Sequence, residues 1–188
     1  MTRLLTLPAR AMRALRDVTR REDGTASLDF VIIVPVFIFL FVSSFEVSII
    51  LIRQMMLERG VDLAVRDLRL GTWPNINTAG LKTAICDNTA GFISDCENQI
   101  MLELVSVPKN GWTLPDPGAT CIDRSADVQP VTSFDAGTEN QMMIIRACLL
   151  VDPFFPGTRM ALDLEKTEGS GIELVATSGF VNEPGTGT

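Results

Sequence analysis

A long apolar run near the N-terminus constrains this chain more than any other feature. The run covers residues 30–52, which are 23 positions interrupted by a single charged residue, Glu46. As an α-helix it would be about 34 Å long, whereas the hydrocarbon core of a bilayer is about 30 Å thick. A core helix of a globular domain seldom stays apolar on every face over this length. The run therefore predicts a transmembrane helix.

The arginines before the run predict its orientation. The first 24 residues contain six basic side chains, and the residues after the run mix both signs of charge. This excess places the N-terminus in the cytoplasm and the C-terminal part outside it, in the periplasm. A cleaved secretory signal would have a shorter apolar region followed by a cleavage site of small residues. Neither is present, so we expect the helix to remain as a single-pass anchor.

Charge and composition exclude several classes of function. After residue 24 the chain has 10 basic and 20 acidic side chains, a balance unsuited to binding phosphate backbones, so we expect no nucleic-acid partner. The absence of histidine excludes His-based catalytic triads and removes the commonest transition-metal ligand. No nucleophile motif, paired catalytic carboxylates or metal-ligand set replaces them. We therefore expect neither an enzyme nor a protein with a cofactor or bound metal.

A second pattern lies at the start of the apolar run. Gly24 is followed five positions later by Asp29, then by Phe30, Pro35 and a second acidic residue, Glu46. The pattern resembles a class III signal peptide and, more narrowly, the TadE/TadF family of minor pilin-like proteins (pseudopilins) of the tight-adherence (Flp, type IVc) pilus system. The family usually has Glu where this chain has Asp29, which keeps the charge on a side chain one methylene shorter.

The resemblance implies a function, partners and site residues. A prepilin peptidase would remove the leader, residues 1–24, by cleavage between Gly24 and Thr25. The chain would then be a structural subunit in the inner membrane, or extracellular in the pilus, serving pilus assembly and surface adhesion. Its partners would be other pilin-like subunits and the assembly platform. The residues that match the family motif and are assigned to assembly are Asp29, Phe30, Pro35 and Glu46.

Plainer interpretations stand beside these. Asp29 is also suited to a polar helix start, where the helix dipole favours an acid, and Glu46 to an interfacial position near the outer headgroups. The alternative function is a periplasmic binding or sensor module on an uncleaved anchor. The two functions differ in one observable, because only a pilin-like subunit should lose its leader.

The remaining sequence predicts a small α+β domain. The spine helix should extend over residues 25–70, since an apolar stripe of Leu57, Val61, Ala64 and Leu68 continues beyond the span. We predict a second helix at 81–92, strands at 100–107, 141–151 and 171–181, and a loop at 111–130. Together they form a periplasmic pilin-like domain with an antiparallel sheet over residues 71–181, followed by a flexible tail at 182–188.

The cysteines and one aromatic turn complete the expectations. The four cysteines have no Cys-x-x-Cys spacing, and in a periplasmic domain two disulfides are the natural outcome. Of three connectivities we favour Cys86–Cys96 with Cys121–Cys148, since the first closes a short loop and the second ties the long loop to a strand. Phe154 and Phe155 lie in a turn, where filling the core is favoured over contact with another subunit.

Overall fold

The computed structural model describes residues 25–73, 76–111, 114, 118–155 and 171–183. The chain divides into two compact units, Met1–Val42 and Ser43–Thr188. Within the described residues the helices are α1 (Thr25–Arg69), α2 (Thr78–Asp87) and α3 (Cys96–Gln99), and the strands are β1 (Ile100–Val107), β2 (Met142–Val151) and β3 (Ile172–Val181). The expected α+β fold, a long N-terminal helix followed by a small antiparallel sheet, is confirmed.

The part of α1 that lies in the first unit is apolar and exposed. Its large side chains from Phe30 to Phe41 are mostly between 48% and 68% exposed, and Pro35 lies inside the helix. A helix of this length and hydropathy fits a single-pass membrane anchor, because a helical stretch with exposed apolar side chains on nearly every side needs a nonpolar surrounding.

The part of α1 in the second unit is amphipathic instead. Leu57, Val61 and Ala64 are almost fully buried, and Leu68 packs against the same core, so the predicted stripe is confirmed. The helix ends at Arg69 because Gly71 adopts a left-handed conformation with φ of 61° and its N–H bonds to the carbonyl of Leu68. Glycine is the residue that takes this conformation without steric cost.

The sheet is antiparallel throughout, in the order β1-β2-β3, with the strongly apolar β2 in the centre. All three strands lie within a residue of their predicted bounds. Residues on one face, such as Leu102, Ala147 and Ala176, are paired across the strands and belong to the core cluster shared with α1 and α2. β3 alternates between buried and exposed positions, which is the period of a strand with one face on the core.

The loop between β1 and β2 contacts the other face of β2. A disulfide joins Cys121 of the loop to Cys148, and Arg146 donates to the carbonyl of Gly118 at 2.7 Å. The loop also bridges to β1, where the N–H of Leu104 bonds to Ser133. These contacts explain why β2 is buried on both faces while β3 is buried on one. The described residues of the predicted loop at 111–130 contain no helix or strand.

The second helix differs from the prediction of 81–92. It begins three residues earlier because the Asn77 side chain accepts a hydrogen bond from the N–H of Gly80, which caps the helix. It ends at Asp87, since Ala90 and Gly91 both have left-handed φ angles. The short α3 was not predicted.

The last described residues of the chain bond to the rest of the domain. Asn182, the first residue of the predicted tail, bonds through its N–H to Gln141, and Glu183 pairs with Arg69 at 2.9 Å. The rest of that tail, residues 184–188, lies outside the described residues. The predicted leader, residues 1–24, which ends at Gly24, lies outside them as well.

Candidate functional site

The sequence-predicted site residues fall on two separate stretches of α1. Helix α1 begins at Thr25, the residue after the expected cleavage site, and Asp29 lies in its second turn with an exposed side chain. Phe30 is exposed as well, and Pro35 follows inside the helix. Acidic and aromatic side chains directed outward at the start of an apolar helix are available for contact with other molecules.

Glu46 has the opposite surroundings. Its side chain is 1% exposed, and both carboxylate oxygens accept hydrogen bonds from backbone groups. Oε1 lies 2.8 Å from the amide nitrogen of Phe154, and Oε2 lies 2.8 Å from that of Phe155. Hydrogen bonds to an ionised acceptor are stronger than those between neutral groups, and here two of them offset the cost of burying the carboxylate. Glu46 thus fixes a distant turn, residues 152–155, onto α1.

Basic side chains also bond to this turn. Arg53 donates to the carbonyl oxygen of Asp152 at 2.8 Å, and Arg124 forms an ion pair with the Asp152 carboxylate. Arg124 also donates to the side chain of Gln99 at 2.9 Å, which connects the turn to α3. These groups line a small cleft of about 160 Å³. The Asp152 carboxylate offsets the charge of Arg124, whereas Arg53 bonds to the neutral carbonyl oxygen of the same residue.

The aromatic residues of the turn do not fill the core as expected. Phe154 is 58% exposed and Phe155 is half-buried, and neither belongs to the core cluster. The Phe155 ring lies 6.5 Å from that of Phe45 on α1 and 4.9 Å from that of Phe154. The expectation was wrong for Phe154 because the Glu46 hydrogen bonds hold the backbone of the turn against α1, and its ring is left outside.

Two disulfides also stabilise the domain. Cys86 pairs with Cys96 and Cys121 with Cys148, the connectivity that the sequence favoured, with Cα–Cα distances of 5.7 and 5.1 Å. Glu173 lies close to the second pair. A metal ion takes the thiolate form of cysteine, however, and the sulfur atoms of a disulfide are not thiolates.

The loop that carries Cys121 has its own local order. Asp123 accepts hydrogen bonds from the hydroxyl and the backbone N–H of Ser125, and these bonds hold the pKa of its carboxyl below the usual value. Gln129 bonds back to the backbone of Asp123 in both directions. The interactions stabilise an exposed loop and assemble no set of reactive groups.

Sequence reasoning missed the partners of Glu46. Phe154 and Phe155 follow Glu46 by 108 and 109 positions, and the groups that bond are backbone N–H groups, which every residue except proline carries. Composition and periodicity contain no signal for such a contact. The one clue in the sequence was an acidic residue within an apolar helix, which requires a partner but does not identify it.

Comparison with known proteins supports the resemblance at the N-terminus. The family model of TadE-like proteins matches residues 24–66, a segment that begins at Gly24, contains Asp29, Pro35 and Glu46, and ends within α1. No curated protein and no solved structure matches the chain. The chain is therefore similar to TadE-like proteins over this segment.

Proposed function

We propose that the chain is a minor pilin-like structural subunit, without catalytic activity, that takes part in assembling a tight-adherence (Flp) pilus for surface adhesion. The observation that carries the proposal is the TadE-like match over residues 24–66, because it covers the expected processing site and the apolar helix together. The fold agrees with this role: a long helix is apolar and exposed in its first part and packs on an antiparallel sheet in its second.

The proposal includes a location. We infer a single pass through the inner membrane, with the N-terminus in the cytoplasm and residues 71–181 forming a periplasmic domain. The arginine-rich leader supports this orientation. The two disulfides support it independently, since disulfides persist in oxidising compartments such as the periplasm and are rare in the cytosol.

Processing is the next step of the proposal. Cleavage by a prepilin peptidase between Gly24 and Thr25 would make Asp29 the fifth residue of the mature chain and give Thr25 a protonated α-amine. A carboxylate near an amine at the membrane edge can form a charge-assisted hydrogen bond, which lowers the cost of holding either charge there. We infer that Asp29 pairs with the amine of a neighbouring subunit during assembly, with the platform and other pilin-like subunits as partners.

N-terminal sequencing of the membrane-bound protein tests this function against the sensor alternative. In cells with the prepilin peptidase we expect Thr25 as the first residue, and in cells without the peptidase the leader should be retained. A Gly24→Leu variant should keep its leader and still insert, since the apolar run drives insertion. A chain that begins at Met1 or Thr2 in cells with the peptidase would favour the uncleaved sensor module.

A further inference from the structure

We propose that the turn of residues 152–155 is a membrane-contacting element, which Glu46 fixes on α1 at the depth of the outer leaflet and which presents Phe154 to the acyl chains. The partner is the lipid of the membrane that α1 spans. The proposal rests on the membrane anchor and on the orientation inferred above, and it does not depend on a role in pilus assembly.

The position of Glu46 along α1 sets the depth of the turn. The apolar run continues for six residues beyond Glu46, which is about 9 Å of helix. In this stretch and just after it, Leu51 and Met55 are 57% and 65% exposed, although the opposite face of α1 is covered by the domain. Exposed apolar side chains beyond Glu46 indicate that the lipid-facing surface extends past it. The turn bonded to Glu46 then lies within the outer leaflet.

The hydrogen bonds of the turn suit this depth. A carboxylate within the hydrocarbon region is costly unless it is paired, and an unbonded backbone N–H is also unfavourable there. Glu46 and the N–H groups of Phe154 and Phe155 satisfy each other at 2.8 Å in both bonds. These hydrogen bonds therefore lower the free-energy cost of placing the carboxylate and the two N–H groups at this depth in the membrane.

The aromatic rings extend the apolar surface of α1 onto the turn. Phe45, on the helix, is about half exposed, and its ring neighbours that of Phe155, which in turn contacts the ring of Phe154. The three rings form one continuous apolar surface next to the lipid-facing side of the helix. A contiguous exposed apolar surface that borders a membrane span is suited to contact with the same lipid.

The polar side of the turn fixes its outer limit. Arg53 follows the last residue of the apolar run and bonds to the carbonyl of Asp152, whose carboxylate pairs with Arg124. Long basic side chains place their charge at the headgroup level while their stems stay in apolar surroundings. The turn thus has charged groups on one side and phenyl rings on the other, which is the polarity of a membrane interface.

Depth-dependent fluorescence quenching tests the proposal on the full chain. The native tryptophans are replaced (Trp73→Phe, Trp112→Phe), Phe154→Trp is added as reporter, and the protein is reconstituted into vesicles of phosphatidylethanolamine and phosphatidylglycerol. Phosphatidylcholine brominated at the upper acyl-chain carbons is the quencher. We expect the reporter at position 154 to show blue-shifted emission and to lose most of its intensity when the brominated lipid is present. Val131→Trp in the same background is the control, because Val131 is almost fully exposed. It should show water-like emission and little quenching.

A second reporter and a second measurement distinguish a loss of membrane contact from misfolding of a variant. Phe45→Trp reports on the same surface from the helix, and an unchanged unfolding midpoint identifies reporters that keep the fold. Strong quenching at position 154 with weak quenching at position 131 supports membrane contact by the turn. Strong quenching at position 45 supports membrane contact by the helix surface beside the turn, but it does not by itself support contact by the turn. Water-like emission at 154 would overturn the proposal. Blue-shifted emission at 154 without lipid quenching would overturn it too, since the ring would then face protein.

Discussion

Two carboxylates of one helix have opposite surroundings. Asp29 lies near the start of α1 with its side chain exposed, whereas Glu46 is 1% exposed and accepts two backbone hydrogen bonds. In the sequence the two residues look alike, because both are acidic and both lie within the TadE-like segment. Their surroundings indicate different roles, since a carboxylate with its bonds made inside the chain stabilises the fold and an exposed one can bind another molecule.

The neighbouring apolar residues divide in the same way. In the first stretch of α1 the large side chains are exposed, and in the second, Leu57 and Val61 are buried against the sheet. The helical period of the apolar residues explains why one face of the second stretch is buried. The length of the apolar run explains why the first stretch is exposed and suited to a membrane. One helix therefore serves two surroundings, and substitutions in its two stretches should have different effects.

The largest effect is expected from a matched pair of leucines. Leu57→Ala removes a fully buried side chain and should lower the free energy of unfolding by about 2–5 kcal/mol. Leu40→Ala, in the exposed stretch, should change it by no more than about 0.5 kcal/mol. Guanidinium unfolding of the full chain in detergent micelles measures both. Equal losses would show that the first stretch also packs against the domain.

The second-largest loss of stability is expected from Glu46→Ala. The substitution leaves two part-buried N–H groups without their acceptor. A fully buried unbonded donor costs about 1–3 kcal/mol, and partial access of water reduces that cost, so we expect the domain to lose roughly 2–4 kcal/mol in the same unfolding measurement. Glu58→Ala is the matched control, because Glu58 is an exposed acid of α1 that bonds to Gln54 within the helix. Its loss should stay below about 1 kcal/mol. If the two variants were equally stable, Glu46 would not fix the turn.

A smaller effect is expected where α1 meets α2. A Cβ atom on Gly60 would lie 2.7 Å from the carbonyl oxygen of Ile85, so Gly60→Ala must separate the two helices. We expect a loss of about 1–3 kcal/mol, typical of overpacking. Arg59→Ala, an exposed neighbour, should be nearly neutral. A neutral Gly60→Ala would show that the close approach is readily relaxed.

The regular elements could be predicted from the sequence because their signals are local. The strands β1 to β3 follow from apolar and β-branched runs, and the buried stripe of α1 follows from its period. The C-terminal end of α2 was misplaced because no proline stops it. The turn after Asp87 depends on left-handed conformations at Ala90 and Gly91, of which only the glycine gives a signal in the sequence.

The candidate site was predictable in part. The family pattern identified Asp29 and Glu46 as residues of interest, and chain topology favoured the pairing Cys121–Cys148. The contact of Glu46 with the turn was not predictable, because backbone N–H groups more than a hundred positions away form it. The exposure of Phe154 follows from that contact, so it could not be predicted either.

The division between the two carboxylates is tested most directly by neutralising Asp29. In cells that assemble the pilus, Asp29→Asn keeps the size of the side chain and removes its charge, while Asp29→Glu restores the residue that the family usually has. Co-purification with other pilin-like subunits and the unfolding midpoint are measured on the same preparations. Asp29→Asn should lose its partners with an unchanged midpoint, and Asp29→Glu should keep both. An Asp29→Asn protein that co-purifies at the wild-type level would contradict the assembly role of this carboxylate.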